Sequence, residues 1–570
     1  MDHSRGTGGR RAVGRFARCG LIFRPGLHKR TVPLRHGAPH LSENGVLALD
    51  SSGASDSSVC ADDPARVVLI PRQIRGRVIN IWLVLTVALG AVIAVGDGLT
   101  RAPNFELESS PQPLGYEPYH AALLLAGLTL PLMLAYARRA RVSFTEGFFL
   151  WFIFCTTTYT RDFSYLRLPG TPLFVTDIVL VVLLSSLYIL PRAQKPKHPL
   201  ALNIFLMLFV AAGLVSAARG FWGNGEPTLV LRDSALVVYA FFLLIGYQLF
   251  RSWSSIRRLA VWALLGTALN VLNGAAWFVA APEQRRFVFP GIYVLVALVV
   301  VLMMMANRLT RKKAGWALAV VFFVGLLLAN ARSLFLSLAV VLLSALLLRG
   351  LLRAKVSSVP LIRVLVSVSL LGCALVFLSV HVKAERDFTS RVVEELESGT
   401  LHVGEDPNWQ FRVVAWKEAW KRFEESPLAG EGFGVPFTFG IWDNDARPHN
   451  TFLTVLYKMG LIGFVPLFGL LGYFFWRGLE CMHANSENRR VAFLQIGILA
   501  QLALCLFGSA NLLLESPYLA SLFWTVMGVD LAMIRRLDLE KLLRNYAACS
   551  RTNRALAENE PGGQQLQHSP

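Results

Sequence analysis

Residues 314–348 read AGWALAVVFFVGLLLANARSLFLSLAVVLLSALLL, thirty-five positions whose single charge is Arg332. One helix of that length would reach about 52 Å at 1.5 Å per residue, against a hydrocarbon layer about 30 Å thick. The run therefore predicts two membrane spans joined by a turn at Asn330 to Arg332. The same reading along all 570 residues gives fourteen apolar stretches, at 78–96, 120–137, 145–160, 171–190, 199–218, 234–250, 257–280, 288–307, 314–331, 333–348, 361–381, 451–476, 491–509 and 515–534. Composition agrees: 54% of residues are hydrophobic and 16% charged, where a soluble domain carries about 25% charged. A soluble enzyme is excluded, and the expected fold is an all-α polytopic bundle of about fourteen transmembrane helices.

Sidedness follows from where the basic residues fall. Placing both termini in the cytoplasm puts six basic connectors inside, among them Arg138-Arg139-Ala140-Arg141 and Arg308 to Lys313. With the tails, 39 of the 56 Lys and Arg are then internal, as the positive-inside rule requires. The net charge of +19 thus encodes orientation and needs no nucleic-acid partner. The chain divides into a basic tail, 1–77, expected to be disordered and cytoplasmic and even an over-extended start; a first bundle, 78–382; an outer loop, 383–450; a second bundle, 451–536; and a cytoplasmic tail, 537–570. The seven cysteines are scattered, with no C-x-x-C pair, so neither a disulfide framework nor a zinc site is expected.

The outer loop is far longer than a structural connection needs, and such loops are commonly functional. Asp406-Pro407 has the form of a helix start and Ser426-Pro427 of a stop. Between them Trp416, Ala419, Trp420 and Phe423 share one helical face, with Arg412 one turn away on that side; Lys417, Lys421, Glu424 and Glu425 take the other. This pattern predicts a helix lying on the membrane or capping the bundle as a lid. The interiors of the spans are read as almost free of charge.

Arginines on the outer face depart from the inside preference, and charge at membrane depth is expensive. Arg285 and Arg286 lie in the connector before the eighth span, Arg332 at a turn, and Arg412 on the lid helix. Guanidinium groups bind phosphate bidentately and stay charged, so their convergence would make a pyrophosphate site; the alternative is that Arg285 and Arg332 snorkel to lipid headgroups. His449, in Arg447-Pro448-His449-Asn450-Thr451, stands where the loop re-enters the membrane. It is either a general base or an interfacial polar residue beside a helix cap at Asn450 or Thr451. Asp177 is either a substrate contact or one half of a structural pair. Asp443-Asn444-Asp445 matches a short metal-binding pattern on a face where nucleotide sugars are not supplied, and Gly430-Glu431-Gly432-Phe433-Gly434 lacks the P-loop lysine and reads as a turn system.

Taken together, Arg412-x-x-Ala415-Trp416-x-x-Ala419-Trp420, Ser426-Pro427-Leu428-Ala429 leading into the glycine-rich turn, Pro448-His449-Asn450-Thr451-Phe452-Leu453 and Gly460-Leu461-Ile462-Gly463-Phe464 resemble the O-antigen ligase and polymerase superfamily. Asn330-Ala331-Arg332-Ser333 stands where that family also carries an arginine; family members commonly show Arg-Gly or Arg-Ala there, and fourteen spans exceed the twelve common among its ligases. The resemblance is strong over about 325–475 and architectural elsewhere. It implies a C-type membrane glycosyltransferase of the bacterial inner membrane, with its site facing the periplasm. Such an enzyme passes a glycan from an undecaprenyl-pyrophosphate donor to the hydroxyl of an acceptor: lipid A core, a growing glycan or a protein. It further implies His449 as the base, supported by Asn450, and Arg332 with Arg286 or Arg285 on the pyrophosphate, without metal or other cofactor. A repeat-unit polymerase of the same superfamily, a polysaccharide transporter or flippase, and a non-catalytic assembly subunit are the competing readings.

Overall fold

The computed structural model describes residues 72–101, 120–168, 171, 173–189, 199–223, 225–280, 291–329, 331–351, 407–439, 447–486 and 488–559. These are helical throughout, apart from turns and one isolated bridge between Arg167 and Phe174. In chain order the helices are α1 (Arg72–Arg101), α2 (His120–Ala140), α3 (Phe144–Ser164), α4 (Val175–Ile189), α5 (Leu200–Trp222), α6 (Pro227–Asp233), α7 (Ala235–Val238) and α8 (Phe241–Leu249). They continue with α9 (Trp253–Ala280), α10 (Ile292–Ala306), α11 (Lys312–Ala329), α12 (Arg332–Leu351), α13 (Pro407–Glu425), α14 (Thr451–Ala484), α15 (Val491–Gly508) and α16 (Pro517–Asn559).

Nine stretches among the described residues are long and apolar enough to cross a membrane, and α4, α10 and most of α12 are shorter apolar helices. The protein is an all-α, multispanning membrane protein. Every predicted span is occupied by helix except 361–381, which lies outside the described residues. The 314–348 run divides as its length requires, α11 ending at Ala329 and α12 starting at Arg332. The span predicted over 234–250 instead begins at Pro227 and is broken into α6, α7 and α8. Helix α16 runs unbroken to Asn559, so the segment after residue 536 starts as helix.

Helix α3 is largely enclosed. Phe149, Phe152, Phe154 and Phe163 are all buried, and Phe152 stacks on Phe242 of α8 with ring centres 5.5 Å apart. In lipid, helices gain little from apolar burial alone, so close approach at small residues does the joining. Helices α8 and α16 meet in this way: a Cβ on Gly528 would stand 2.2 Å from the Leu243 carbonyl oxygen, and one on Gly246 2.9 Å from that of Thr525.

Charge pairs mark one end of the bundle. Arg258 of α9 meets Glu146 of α3 at 2.7 Å, and Glu540 of α16 accepts from Arg490 at 2.6 Å and from the Trp253 indole at 3.0 Å. The opposite end holds the start of α14 against the α15–α16 turn, where the Thr451 hydroxyl donates to Glu515 at 2.6 Å. Tyr293 at the start of α10 reaches the Tyr518 carbonyl at 2.6 Å at that same end.

Candidate functional site

The site is built around a break in α14. Gly460 has φ 60° and ψ −163°, values no helix contains. Such a break frees backbone carbonyls, which in a membrane must find partners. The glycine-rich turn supplies them: the Glu431 amide donates to the Tyr457 carbonyl at 2.8 Å and the Gly432 amide to that of Lys458 at 3.0 Å. In return the amides of Leu461 and Ile462 donate to the carbonyls of Pro427 and Leu428 at 2.9 and 3.1 Å. This stitching needs two glycines in the left-handed region. A Cβ on Gly430 (φ 66°) would stand 2.4 Å from the backbone of Lys458, and one on Gly460 2.3 Å from the Leu428 carbonyl oxygen. Two motifs thirty residues apart, Gly-x-Gly-x-Gly and Gly-Leu-Ile-Gly, are therefore halves of one joint.

Beneath the joint lies a buried ion cluster. Lys458 of α14, its side chain 3% exposed, places Nζ 3.3 Å from Asp233 and 2.9 Å from Glu431, and donates to the Val435 carbonyl at 2.6 Å. Asp233 ends α6, 5% exposed, accepts from the Gly434 amide at 3.1 Å and stands 3.7 Å from Arg447. Burial raises the Glu431 carboxyl above the usual carboxylate range against the opposing pull of Lys458 and Arg422. The expectation that the spans are almost free of charge fails here, and again at Asp530 in α16, which is buried. Bonding between distant segments makes the first case tolerable: ions are retained in low dielectric when several partners surround them. Sequence reasoning passed over Asp233, Lys458 and Arg447; a lone lysine inside an apolar stretch was the available signal.

The lid helix α13 docks on α14. It starts and stops where Pro407 and Ser426-Pro427 predict, but the face it buries is rotated from the predicted one. Ala415 and Ala419 are fully buried and pack with Phe437, Phe439 and Tyr457, whereas Trp420 is half exposed and donates to Glu424 at 2.7 Å. Small residues let the helix lie close, which leaves the larger indoles at its edge. Arg422 fastens the helix: its guanidinium reaches Glu431 at 3.2 Å and the carbonyls of Pro436 and Thr438 at 3.0 Å each, and lies 4.7 Å over the Phe437 ring. Trp409, Trp416 and Trp420 form one wall of a groove of about 560 Å³ whose other wall is Phe452, Leu456 and Phe464 of α14.

His449 sits where lid and bundle meet. Its φ is +49°, an uncommon backbone state for a residue with a side chain. Both neighbours are tied down. The Trp416 indole donates to the Pro448 carbonyl at 2.7 Å, and Asn450 caps α14 by accepting from the Leu453 amide at 3.0 Å. The edge of Phe411 meets the imidazole, ring centres 5.9 Å apart. Burial, reinforced by the charges of Arg412 and Arg447, pulls the imidazole down to about 4. It is therefore neutral at pH 7, with a lone pair to offer, beside two cations.

The other expected residues are placed as follows. Arg332 opens α12 immediately after the α11–α12 turn. Gly291, at the start of α10, packs against that turn, a Cβ there meeting Leu334 at 2.3 Å and Ala329 at 2.6 Å. The connector carrying Arg285 and Arg286 thus ends beside the Arg332 turn, although those two arginines, and Asp443 to Asp445, lie outside the described residues. Asp177, expected to contact substrate or to pair with an arginine, instead accepts from the Tyr239 hydroxyl at 2.7 Å and the Phe174 amide at 2.8 Å. Among the described residues no cluster of three or more His, Cys, Asp or Glu is placed to hold a metal ion.

Lid helix, glycine joint, histidine turn and Arg332 turn all lie within the stretch that matches the family model described as O-antigen ligase. Residues 317–468 are an O-antigen ligase family domain. No curated protein matches the chain. The O-antigen ligase domain runs from α11 through the first half of α14, so Asp233 and Arg219 reach it from outside. Arg219 of α5 donates to the carbonyls of Ala429 and Gly430 at 2.9 Å each, tying the domain's glycine turn to a helix that precedes it in the chain.

Proposed function

We propose that the protein transfers a glycan from an undecaprenyl-pyrophosphate donor to an acceptor hydroxyl, with lipid A core as the acceptor in lipopolysaccharide synthesis. The observation carrying this reading is His449, kept neutral beside Arg412 and Arg447 under a lid helix that fixes its backbone. In this reading the chain crosses the bacterial inner membrane fourteen times, both termini in the cytoplasm and His449 at the periplasmic face. His449 accepts the acceptor's hydroxyl proton as that oxygen bonds to the anomeric carbon. The anomeric C–O bond breaks on the opposite side, its electron pair leaves with the pyrophosphate, and the configuration inverts.

Fixed positive charge supports the leaving group in a partly dehydrated site, where it acts most strongly. Arg412 and Arg447 are beside the base; in this reading Arg332 and Arg286 or Arg285 add their charge on the pyrophosphate. A bound pyrophosphate would offset the two arginine charges that depress His449, so the base strengthens once the donor is in place. The aromatic groove beside the lid suits the donor's isoprenoid chain, because it is apolar and continues onto the exposed Leu461, Ile462 and Val465 of α14. Enclosing donor and acceptor under one lid supplies the proximity part of the rate.

The test is a gene deletion complemented with wild type or His449→Ala, read on lipopolysaccharide ladders, secreted polysaccharide and glycoproteins. Bare core with accumulated lipid-linked polymer is the expected outcome for both the deletion and the variant. Core bearing a single repeat would assign a polymerase, and lost secreted polymer with normal ladders an exopolysaccharide enzyme. Full rescue by His449→Ala would leave a transporter or a non-catalytic assembly role and refute the mechanism.

A further inference from the structure

Away from His449, a second cavity of about 580 Å³ lies between α3, α9, α10, α11, α15 and α16, running from Arg257 and Arg311 at the end of the bundle that carries Glu146 and Glu540 as far as Tyr293. Its walls are almost wholly apolar, supplied by Leu264, Val296, Val300, Leu318 and Val526 among others. Besides Tyr293 and scattered threonines, two features are polar. Arg257, near the start of α9, and Arg311, just before α11, stand at the mouth, and both are exposed. Deeper, Asp530 of α16 lines the cavity although 1% exposed, and its Oδ2 has no hydrogen-bond partner; the Thr525 hydroxyl, also lining the cavity, has none either.

The position of Asp530 is built rather than incidental. Its carboxyl fills a notch left by Gly497 of α15, where a Cβ would stand 1.8 Å from Oδ1. Gly497 lies six residues into α15, so the carboxyl is about 9 Å inside the end of that helix. A phospholipid whose phosphate lay at the two arginines would run its ester-linked chains inward along the wall that carries this carboxyl. A buried polar group without a partner is costly, and a carboxyl in a dry wall is tolerated as the neutral acid, a hydrogen-bond donor suited to an ester carbonyl. An isoprenoid phosphate has no such acceptor.

We propose that this cavity binds one diacyl phospholipid with an anionic headgroup, its phosphate at Arg257 and Arg311 and an ester carbonyl at Asp530. The site is separate from the transfer reaction and stands whether or not that reading holds. Charge complementarity selects the headgroup, the carboxyl selects an ester lipid over an isoprenoid, and the apolar walls take an acyl chain. The lipid would wedge α9, α11 and α16 apart at a fixed spacing.

Native mass spectrometry of the full chain, delipidated in mild detergent and titrated with defined lipids, tests this. Phosphatidylglycerol should bind one per chain and survive activation. Its ether-linked analogue and undecaprenyl phosphate, both anionic without an ester, should bind roughly tenfold more weakly, the factor one hydrogen bond supplies. Asp530→Leu should bind the ester and ether lipids alike, while Asp530→Asn, which keeps a donor, should retain the preference. Arg257→Gln with Arg311→Gln, distant from the buried carboxyl, should weaken phosphatidylglycerol more than phosphatidylethanolamine, whose ammonium already offsets its phosphate, and serves if Asp530→Leu does not fold. Non-stoichiometric lipid only, equal binding of undecaprenyl phosphate, or an unaltered ester preference in Asp530→Leu would each overturn the proposal.

Discussion

Replacing Lys458 with methionine removes the ammonium that stands between the buried Asp233 and the partly buried Glu431 while nearly preserving side-chain volume. Lys458 and Asp233 are 3% and 5% exposed and 3.3 Å apart, with Glu431 at 2.9 Å on the other side. At an effective dielectric near 20 each contact amounts to about 5 kcal/mol of gross attraction, most of which offsets desolvation of the ions. Deleting one partner leaves that desolvation uncompensated, and breaking a buried pair in this way costs about 3–5 kcal/mol. Lys458→Met should therefore lose about 3–5 kcal/mol in equilibrium unfolding in mixed micelles, followed by far-ultraviolet circular dichroism. Asp233→Asn on top of it relieves the stranded charge, so the double variant should be more stable than the sum of the single losses, with a coupling of about 1–3 kcal/mol. A loss below about 1 kcal/mol for Lys458→Met, or strict additivity, would refute the view that this cluster holds the joint together.

Three further outcomes follow from the site. His449 has its imidazole lowered to about 4, so the unfolded chain takes up the proton first; stability should be full above about pH 6.5 and fall by up to about 3 kcal/mol as pH drops to 4, a slope that His449→Gln should lack in the same unfolding measurement. Gly460→Ala forces a side chain into a left-handed position 2.3 Å from a carbonyl oxygen, and should sharply reduce the yield of folded protein by size-exclusion chromatography, whereas Gly472→Ala, with open space around it, should not. Arg422→Ala removes the bonds that fasten the lid helix and should speed limited proteolysis within residues 407–439 at least severalfold; Arg422→Lys, which lacks the planar fork, should give most of the same effect, and unchanged cleavage in both would show that the lid is held otherwise.

Which parts of this molecule were legible in its sequence depends on the range of the forces involved. Spans are set by local hydropathy and length, so the division at Arg332, the break before α13 and the stop at Ser426-Pro427 could be read directly. His449 could be singled out because it stands where the loop re-enters the membrane, and Arg412 because it departs from the inside preference of basic residues. The rotation of the lid helix could not, since helical spacing grouped Trp416, Ala419, Trp420 and Phe423 on one face, while docking preferred Ala415 and Ala419, which allow close approach.

By itself the sequence determined an all-α membrane protein, the approximate places of most of its apolar helices and the short set of polar residues worth weighing. Tertiary structure alone decided that Gly430 and Gly460 form one joint, that Asp233 crosses more than two hundred positions to meet Lys458, that Asp177 accepts from Tyr239, and that burial, reinforced by two arginines, keeps His449 neutral. The physical reason is that hydropathy acts along the chain, whereas a buried charge is tolerated only through partners that folding brings to it.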